Sequence, residues 1–154
     1  MWPRIGLLLL AVSLFGAEVD FSGTWNLVVP KSEFGGAKPP LAQEMVVHQK
    51  GDGIAVHATL TTDAGAAVSD YRLNATGKSV QNAIRGNNVT SIATWRGPSL
   101  YIRSSTSVQG NDVKMVDQWQ LDDNGKRLTI YRSASTPQGD VEQKFVYAKY
   151  AAKP

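Results

Sequence analysis

Turn residues cut the chain into short, regular segments between Glu44 and Tyr147: Gly51-Asp52-Gly53, Gly86-Asn87, Gly97-Pro98, Asn124-Gly125 and the stretch Thr136 to Asp140. Between these turns apolar residues alternate with polar ones. Met45, Val47 and Gln49 share one face, then Ile54, Val56, Ala58 and Leu60. Val80, Asn82 and Ile84 follow, then Val89, Ser91, Ala93 and Trp95, then Leu100 and Ile102. Val113, Met115, Asp117, Trp119 and Leu121 share a face, as do Leu128, Ile130 and Arg132, and last Val141, Gln143, Phe145 and Tyr147. Val68 to Leu73 carries the weakest pattern. A period of two is the mark of a strand with one buried face. The tight turns leave nowhere for a crossover helix, so successive strands must be antiparallel neighbours. The expected fold class is all-β, an antiparallel up-and-down β-barrel of about 8–10 strands. A single sheet closing on itself explains the alternation and removes exposed edges. The competing two-sheet sandwich with Greek-key connections needs a long connection, and none is evident after Pro40.

The first strand is expected in Phe21-Ser22-Gly23-Thr24-Trp25-Asn26-Leu27-Val28-Val29, with Trp25, Leu27 and Val29 on the buried face. Gly23 admits a sharp turn into the strand. Trp25 is large enough to plug one end of a barrel. Pro30 to Pro40 holds Gly35, Gly36 and Pro39, which forbid a long helix. One short helical turn is expected around Ser32-Glu33-Phe34, with Phe34 under the barrel end.

Residues 1–17 read as a secretory signal peptide. Arg4 opens it, Ile5 to Phe15 is apolar apart from Gly6 and Ser13, and Gly16-Ala17 are small. The apolar run is too short to span a bilayer comfortably. A mature chain starting near Glu18 is therefore expected, exported to a periplasm or beyond the cell, with no membrane span. The barrel domain covers 18–150 and a short disordered tail 151–154. The chain has no cysteine, which excludes disulfides, thiolate catalysis and cysteine-based zinc sites. The formal charge is +3, and losing Arg4 leaves +2. These charges are scattered rather than clustered, so nucleic acid is not an expected partner.

The segment Gly23-Thr24-Trp25 at a strand start, with a closing strand that ends Phe145-Val146-Tyr147-Ala148-Lys149, resembles the calycin group of lipocalins and fatty-acid-binding proteins. It also looks like small exported bacterial lipocalin-like proteins with no assigned activity. The resemblance implies a lipocalin-like barrel, Gly23 and Trp25 at its closed end, and a small, largely apolar ligand inside. The chain departs from the group in three ways. Fatty-acid-binding proteins carry a helix–turn–helix lid between the first two strands, and Pro30 to Gln43 is too short and broken for it. They hold a carboxylate with Arg-x-Tyr on the last strand, where this chain has Phe145-Val146-Tyr147. Secreted lipocalins end with a packed helix, for which nothing remains after Tyr150.

Asp117 and Arg132 form the strongest chemical pairing. Asn-Gly is the favoured centre of a two-residue hairpin turn. Centring the turn on Asn124-Gly125 pairs Asp123 with Lys126, Leu121 with Leu128, Trp119 with Ile130, and Asp117 with Arg132. Unlike charges on an apolar face make physical sense only if they meet. The pair is either a structural ion pair, with the guanidinium on Trp25 or Trp119, or a polar anchor for a ligand. Trp25, Trp95 and Trp119 all read inward, as core or as cavity wall. The small inward residues Ala58, Ser91, Ala93 and Ser104 lie opposite bulky ones and point to a void. The expected ligand-facing set is Trp95, Met115, Asp117, Trp119, Arg132, Phe145 and Tyr147.

His48 and His57, the only histidines, fall on the outward face. Two ligands do not make a zinc site, so no metal or cofactor is expected. Asn74-Ala75-Thr76 and Asn88-Val89-Thr90 fit the glycosylation pattern, which matters only in a eukaryotic source. No nucleophile elbow, phosphate loop or dinucleotide fingerprint is present. The functional expectation is an exported, monomeric, non-enzymatic binding protein, carrier or sensor, for a small hydrophobic ligand. A filled barrel acting as an envelope interaction module is the alternative, and an enzyme built on Asp117 and Arg132 ranks third.

Overall fold

A computed structural model describes residues 19–151. The expected signal peptide, its cleavage point and residues 152–154 lie outside the described residues. The strands are β1 (Gly23–Leu27), β2 (Ala42–Lys50), β3 (Gly53–Thr62), β4 (Gly65–Asn74) and β5 (Val80–Ile84). They continue with β6 (Asn87–Arg96), β7 (Ser99–Val108), β8 (Asn111–Asp122), β9 (Arg127–Thr136) and β10 (Gly139–Lys149). All pair antiparallel in one sheet of order β4-β3-β2-β1-β10-β9-β8-β7-β6-β5. Every neighbour in that order is also a neighbour in sequence, except for β1 on β10, which wraps the meander into a nearly closed barrel.

The seam falls between β4 and β5, where no backbone ladder forms. A side chain bridges it. The Asn82 amide accepts a hydrogen bond from the Arg72 backbone N–H at 2.9 Å and donates to the Arg72 carbonyl at 2.9 Å. It satisfies both main-chain groups as a neighbouring strand would.

β1 is short, and the chain that follows it covers the rest of the β10 edge. The helical turn sits at Val29–Lys31, earlier than the sequence suggested. Glu33 instead exchanges backbone hydrogen bonds with Lys144, at 2.7 and 2.9 Å. The unpaired donors and acceptors of β10 explain the difference, because they offer Glu33 a ladder partner that a helical turn would forgo. Gly35 then passes so close that a Cβ would lie 2.5 Å from the Glu142 carbonyl, at φ +61°. Phe34 is half-buried and meets Phe145 edge-on, with ring centroids 6.0 Å apart.

The interior is solid at the end bearing the β2–β3, β6–β7 and β8–β9 turns. Phe21, Trp25, Trp119, Leu100, Leu128, Ile54 and Val47 are fully buried there. Trp25 Nε1 donates to the Phe21 carbonyl at 2.9 Å, which supplies the partner that a buried indole requires. The Lys149 ammonium lies over the Trp25 ring at 5.6 Å. The backbone explains Gly23: its φ of +145° is one that L side chains rarely adopt, and a Cβ there would also stand 2.7 Å from Lys149 Cε, which would have to swing aside.

Candidate functional site

The β8–β9 hairpin sets the chemistry of the interior. Its ladder pairs Leu121 with Leu128, Trp119 with Ile130 and Asp117 with Arg132, the register expected from Asn124-Gly125. The turn itself is longer than expected. Asp123, Asn124 and Gly125 all have positive φ, and Gly125 N–H and Lys126 N–H bond to the Asp122 and Asp123 carbonyls. Asp123 and Lys126 therefore belong to the loop, and the ladder starts at Asp122 and Arg127. Register survives because the loop remains centred on the same point.

The Asp117 and Arg132 side chains meet in a two-pronged ion pair. Arg132 Nε donates to Asp117 Oδ1 and Nη2 to Oδ2, both at 2.8 Å. The guanidinium lies over Phe145 at 5.3 Å, not over Trp25 or Trp119. Register explains this: Gln143 faces Arg132 and Phe145 faces Ile130, so the Phe145 ring is the diagonal neighbour on β10. Side-chain exposure is 32% for Arg132 and 14% for Asp117. That surface lies on the wall of an internal cavity.

The cavity has a volume of about 340 Å³ and fills the half of the barrel opposite the Trp25 end. Met115, Asp117, Trp119, Arg132, Phe145 and Tyr147 all line it. Trp95 does not. Phe21 stacks on Trp95 with centroids 5.7 Å apart and planes 5° from parallel, which draws the indole into the solid end. Parity put Trp95 on the inner face correctly, but parity carries no information on height along the barrel. Of the small inward residues, Ala58, Ser91 and Ser104 border the void, whereas Ala93 is buried in the solid core. The hydroxyls of Ser91 and Ser104 lie 2.8 Å apart and satisfy each other.

Several polar wall residues were not singled out from the sequence, Tyr71 and Gln43 among them. Tyr71 projects inward from β4, opposite Val56. Gln43 accepts a hydrogen bond from the Tyr147 hydroxyl at 3.2 Å. Burial pushes the Tyr71 hydroxyl pKa well above its ordinary value, and Asp117 adds to this while Arg132 opposes it. Burial likewise raises Tyr147, against Arg132 and with help from Tyr71 and Asp117. Both phenols stay neutral. Burial works against the Arg132 charge, but the Asp117 carboxylate overcomes it through attraction and hydrogen bonding, and the net effect is upward. Trp119 Nε1 is buried without a hydrogen-bond partner among the described residues.

His48 and His57 stand on the outer surface, as expected, and His57 Nδ1 lies 2.6 Å from Asp70 Oδ1. Among the described residues, no three His, Asp or Glu side chains gather as a metal cluster would. No helix of the described residues is long and apolar enough to cross a membrane.

The sequence matches no protein-family model and no curated protein. Solved structures do match. A secretory abundant heat soluble protein from Ramazzottius varieornatus shares 14% identity at a TM-score of 0.61, over 84% of this chain and 94% of that one. Zebrafish ileal bile acid-binding protein complexed with cholic acid shares 17% at 0.58, over 84% and 98%. Echinococcus granulosus fatty-acid-binding protein 1 shares 15% at 0.54, over 85% and 98%. At these identities the likeness is one of fold: the chain shares with these proteins a nearly closed antiparallel barrel, here of ten strands. It lacks the α-helical lid, because only a 3-10 turn separates β1 from β2.

Proposed function

We propose that this chain is an exported, monomeric, non-enzymatic binding protein that holds a small, largely apolar molecule inside its barrel. The observation that carries the reading is the cavity. A barrel of this size can be filled by side chains, and half of this one is. The other half keeps a volume within the range of small-molecule sites, with a wall shared about equally between apolar and polar residues. That contrast favours a ligand over the filled-barrel alternative. The names of the bile acid-binding and fatty-acid-binding neighbours support the same class of role. Export rests on the layout of residues 1–17.

Native mass spectrometry of protein purified from its own host tests the binding role. The expected spectrum shows a small adduct that leaves on denaturation. Titration with N-phenyl-1-naphthylamine, an uncharged apolar fluorophore, is expected to saturate at one site. A bare chain that also takes up no dye would overturn the reading. Export is tested by N-terminal sequencing of protein from the periplasm or culture medium, with a start near Glu18 expected. Intact Met1 on cytoplasmic protein would refute it.

A further inference from the structure

The ion pair in the cavity is internally balanced, yet it is not saturated as a hydrogen-bonding group. A guanidinium has five N–H donors, and Asp117 takes two, one from Nε and one from Nη2. Both Nη1 hydrogens and the second Nη2 hydrogen have no protein partner among the described residues. Nη1 is not sealed from the cavity, because among the described residues the buried side-chain atom without a partner is Trp119 Nε1 and not Arg132 Nη1. The Tyr71 hydroxyl also lines the cavity, and burial and nearby charges act on it with no hydrogen bond among them. The unused polar capacity around the ion pair thus includes three guanidinium donors that an oxygen acceptor could take.

Charge decides what can use those donors. Asp117 already neutralises Arg132 through two good hydrogen bonds. A ligand carboxylate placed on the free edge of Arg132 would bring a second negative charge to one positive charge. The cavity would then hold two carboxylates against one guanidinium, and like charges brought that close repel each other at a cost. The other cationic residue on the wall, Arg85, is exposed at the turn between β5 and β6, where water screens it. An uncharged oxygen acceptor meets the same donors with no such penalty.

We infer that the cavity selects a ligand whose buried polar end is an uncharged acceptor, a carbonyl or hydroxyl oxygen on the free edge of Arg132, and discriminates against a free carboxylate. This rests on the barrel being a site for apolar ligands. The discrimination follows from Asp117: the arginine is present, but its charge is already committed.

Displacement of N-phenyl-1-naphthylamine at neutral pH by methyl dodecanoate, dodecan-1-ol and dodecanoate tests the inference. The ester and the alcohol are expected to displace the dye at concentrations at least about tenfold below dodecanoate. Dodecanoate that competes as well as the ester would overturn the inference while leaving the binding reading intact. No dye uptake, with no displacement by any of the three, would sink both. Any dry pocket disfavours an anion to some degree, so Asp117→Asn supplies the second arm. It frees the charge of Arg132 with little change of shape. Dodecanoate is expected to gain about tenfold or more relative to the ester in that variant. An unchanged ratio in a folded Asp117→Asn protein would refute the role of Asp117. If circular dichroism shows that this variant does not fold, Asp117→Ser, which also frees the Arg132 charge, is read in its place with the same gain of dodecanoate expected.

Discussion

The two halves of the barrel interior are built by the same strands with the same alternation, and they differ in what the inward positions carry. At one end the inward residues are Trp25, Leu100, Trp119 and Leu128, with Phe21 wedged between Trp95 and Trp119. At the other they are Ala58, Ser69, Ser91 and Ser104, facing Tyr71, Asp117 and Arg132. Alternation decides which face is inside; the sizes of the inward residues decide whether that inside is solid or hollow. Polar groups follow the same division. The solid end gives Trp25 Nε1 a carbonyl, whereas the hollow end holds an ion pair with donors to spare.

The comparison is broken most severely at the solid end. Trp25→Ala is expected to destabilise the fold by about 3–5 kcal/mol in chemical denaturation, since neighbours cannot collapse into a void that large. The next effect belongs to the hollow end. Asp117→Ala is expected to destabilise by about 3 kcal/mol, because it strands the Arg132 charge. Replacing both by a well-packed apolar pair, Asp117→Leu with Arg132→Met, is expected to cost much less, since both desolvation penalties disappear together. A double-mutant cycle in urea reads the coupling, and independent, harmless single variants would refute it.

A third effect sharpens the contrast through pH. Tyr71 and Tyr147 have folded pKa values raised above the unfolded value near 10. Their contribution is therefore fully present below about pH 10 and is lost as pH rises from there toward the folded values. Above about pH 10 each is expected to remove about 1.4 kcal/mol of stability per pH unit. Denaturation midpoints measured across that window check the slope, and Tyr71→Phe is expected to halve it. A smaller change in stability is expected from Ala58→Phe, which fills the hollow end to resemble the solid one. Its unfolding free energy is expected to change by less than about 1 kcal/mol, as new apolar contacts offset the strain of the larger side chain, while N-phenyl-1-naphthylamine binding disappears.

The face of each strand was legible in the sequence wherever a turn anchored the count. Asn124-Gly125 fixed the Asp117 and Arg132 pair fifteen residues apart, because hairpin register propagates two residues at a time from the turn. Tyr71 was missed for want of such an anchor. β4 opens with Gly65, Ala66, Ala67 and Val68, which show no contrast between faces, so the weak stretch gave no parity to extend. Counting outward from Asp63 and Ala64 would have set Tyr71 against the inward Val56. Height along the barrel was not legible. It depends on how strands stagger around the closed sheet, and that stagger placed Trp95 on Phe21 rather than on the cavity. The turn after β1 was displaced for a similar reason, since the free edge of β10 that captures Glu33 is more than a hundred residues away in sequence.

A wall laced along every strand can part sideways only where a whole ladder breaks. Here the final join is thin: parting β4 from β5 breaks the two hydrogen bonds of Asn82, and beyond β4 Gly77 N–H bonds the Ala93 carbonyl of β6 at 2.8 Å, whereas parting other neighbours breaks a ladder. Locally weak contacts open far more often than the molecule as a whole. The lifetime of a guest and the durability of its container are therefore separate quantities in this barrel. Asn82→Ala is expected to quicken dye release in stopped-flow measurements while the denaturation midpoint stays almost where it was, so that the clock changes and the vessel does not.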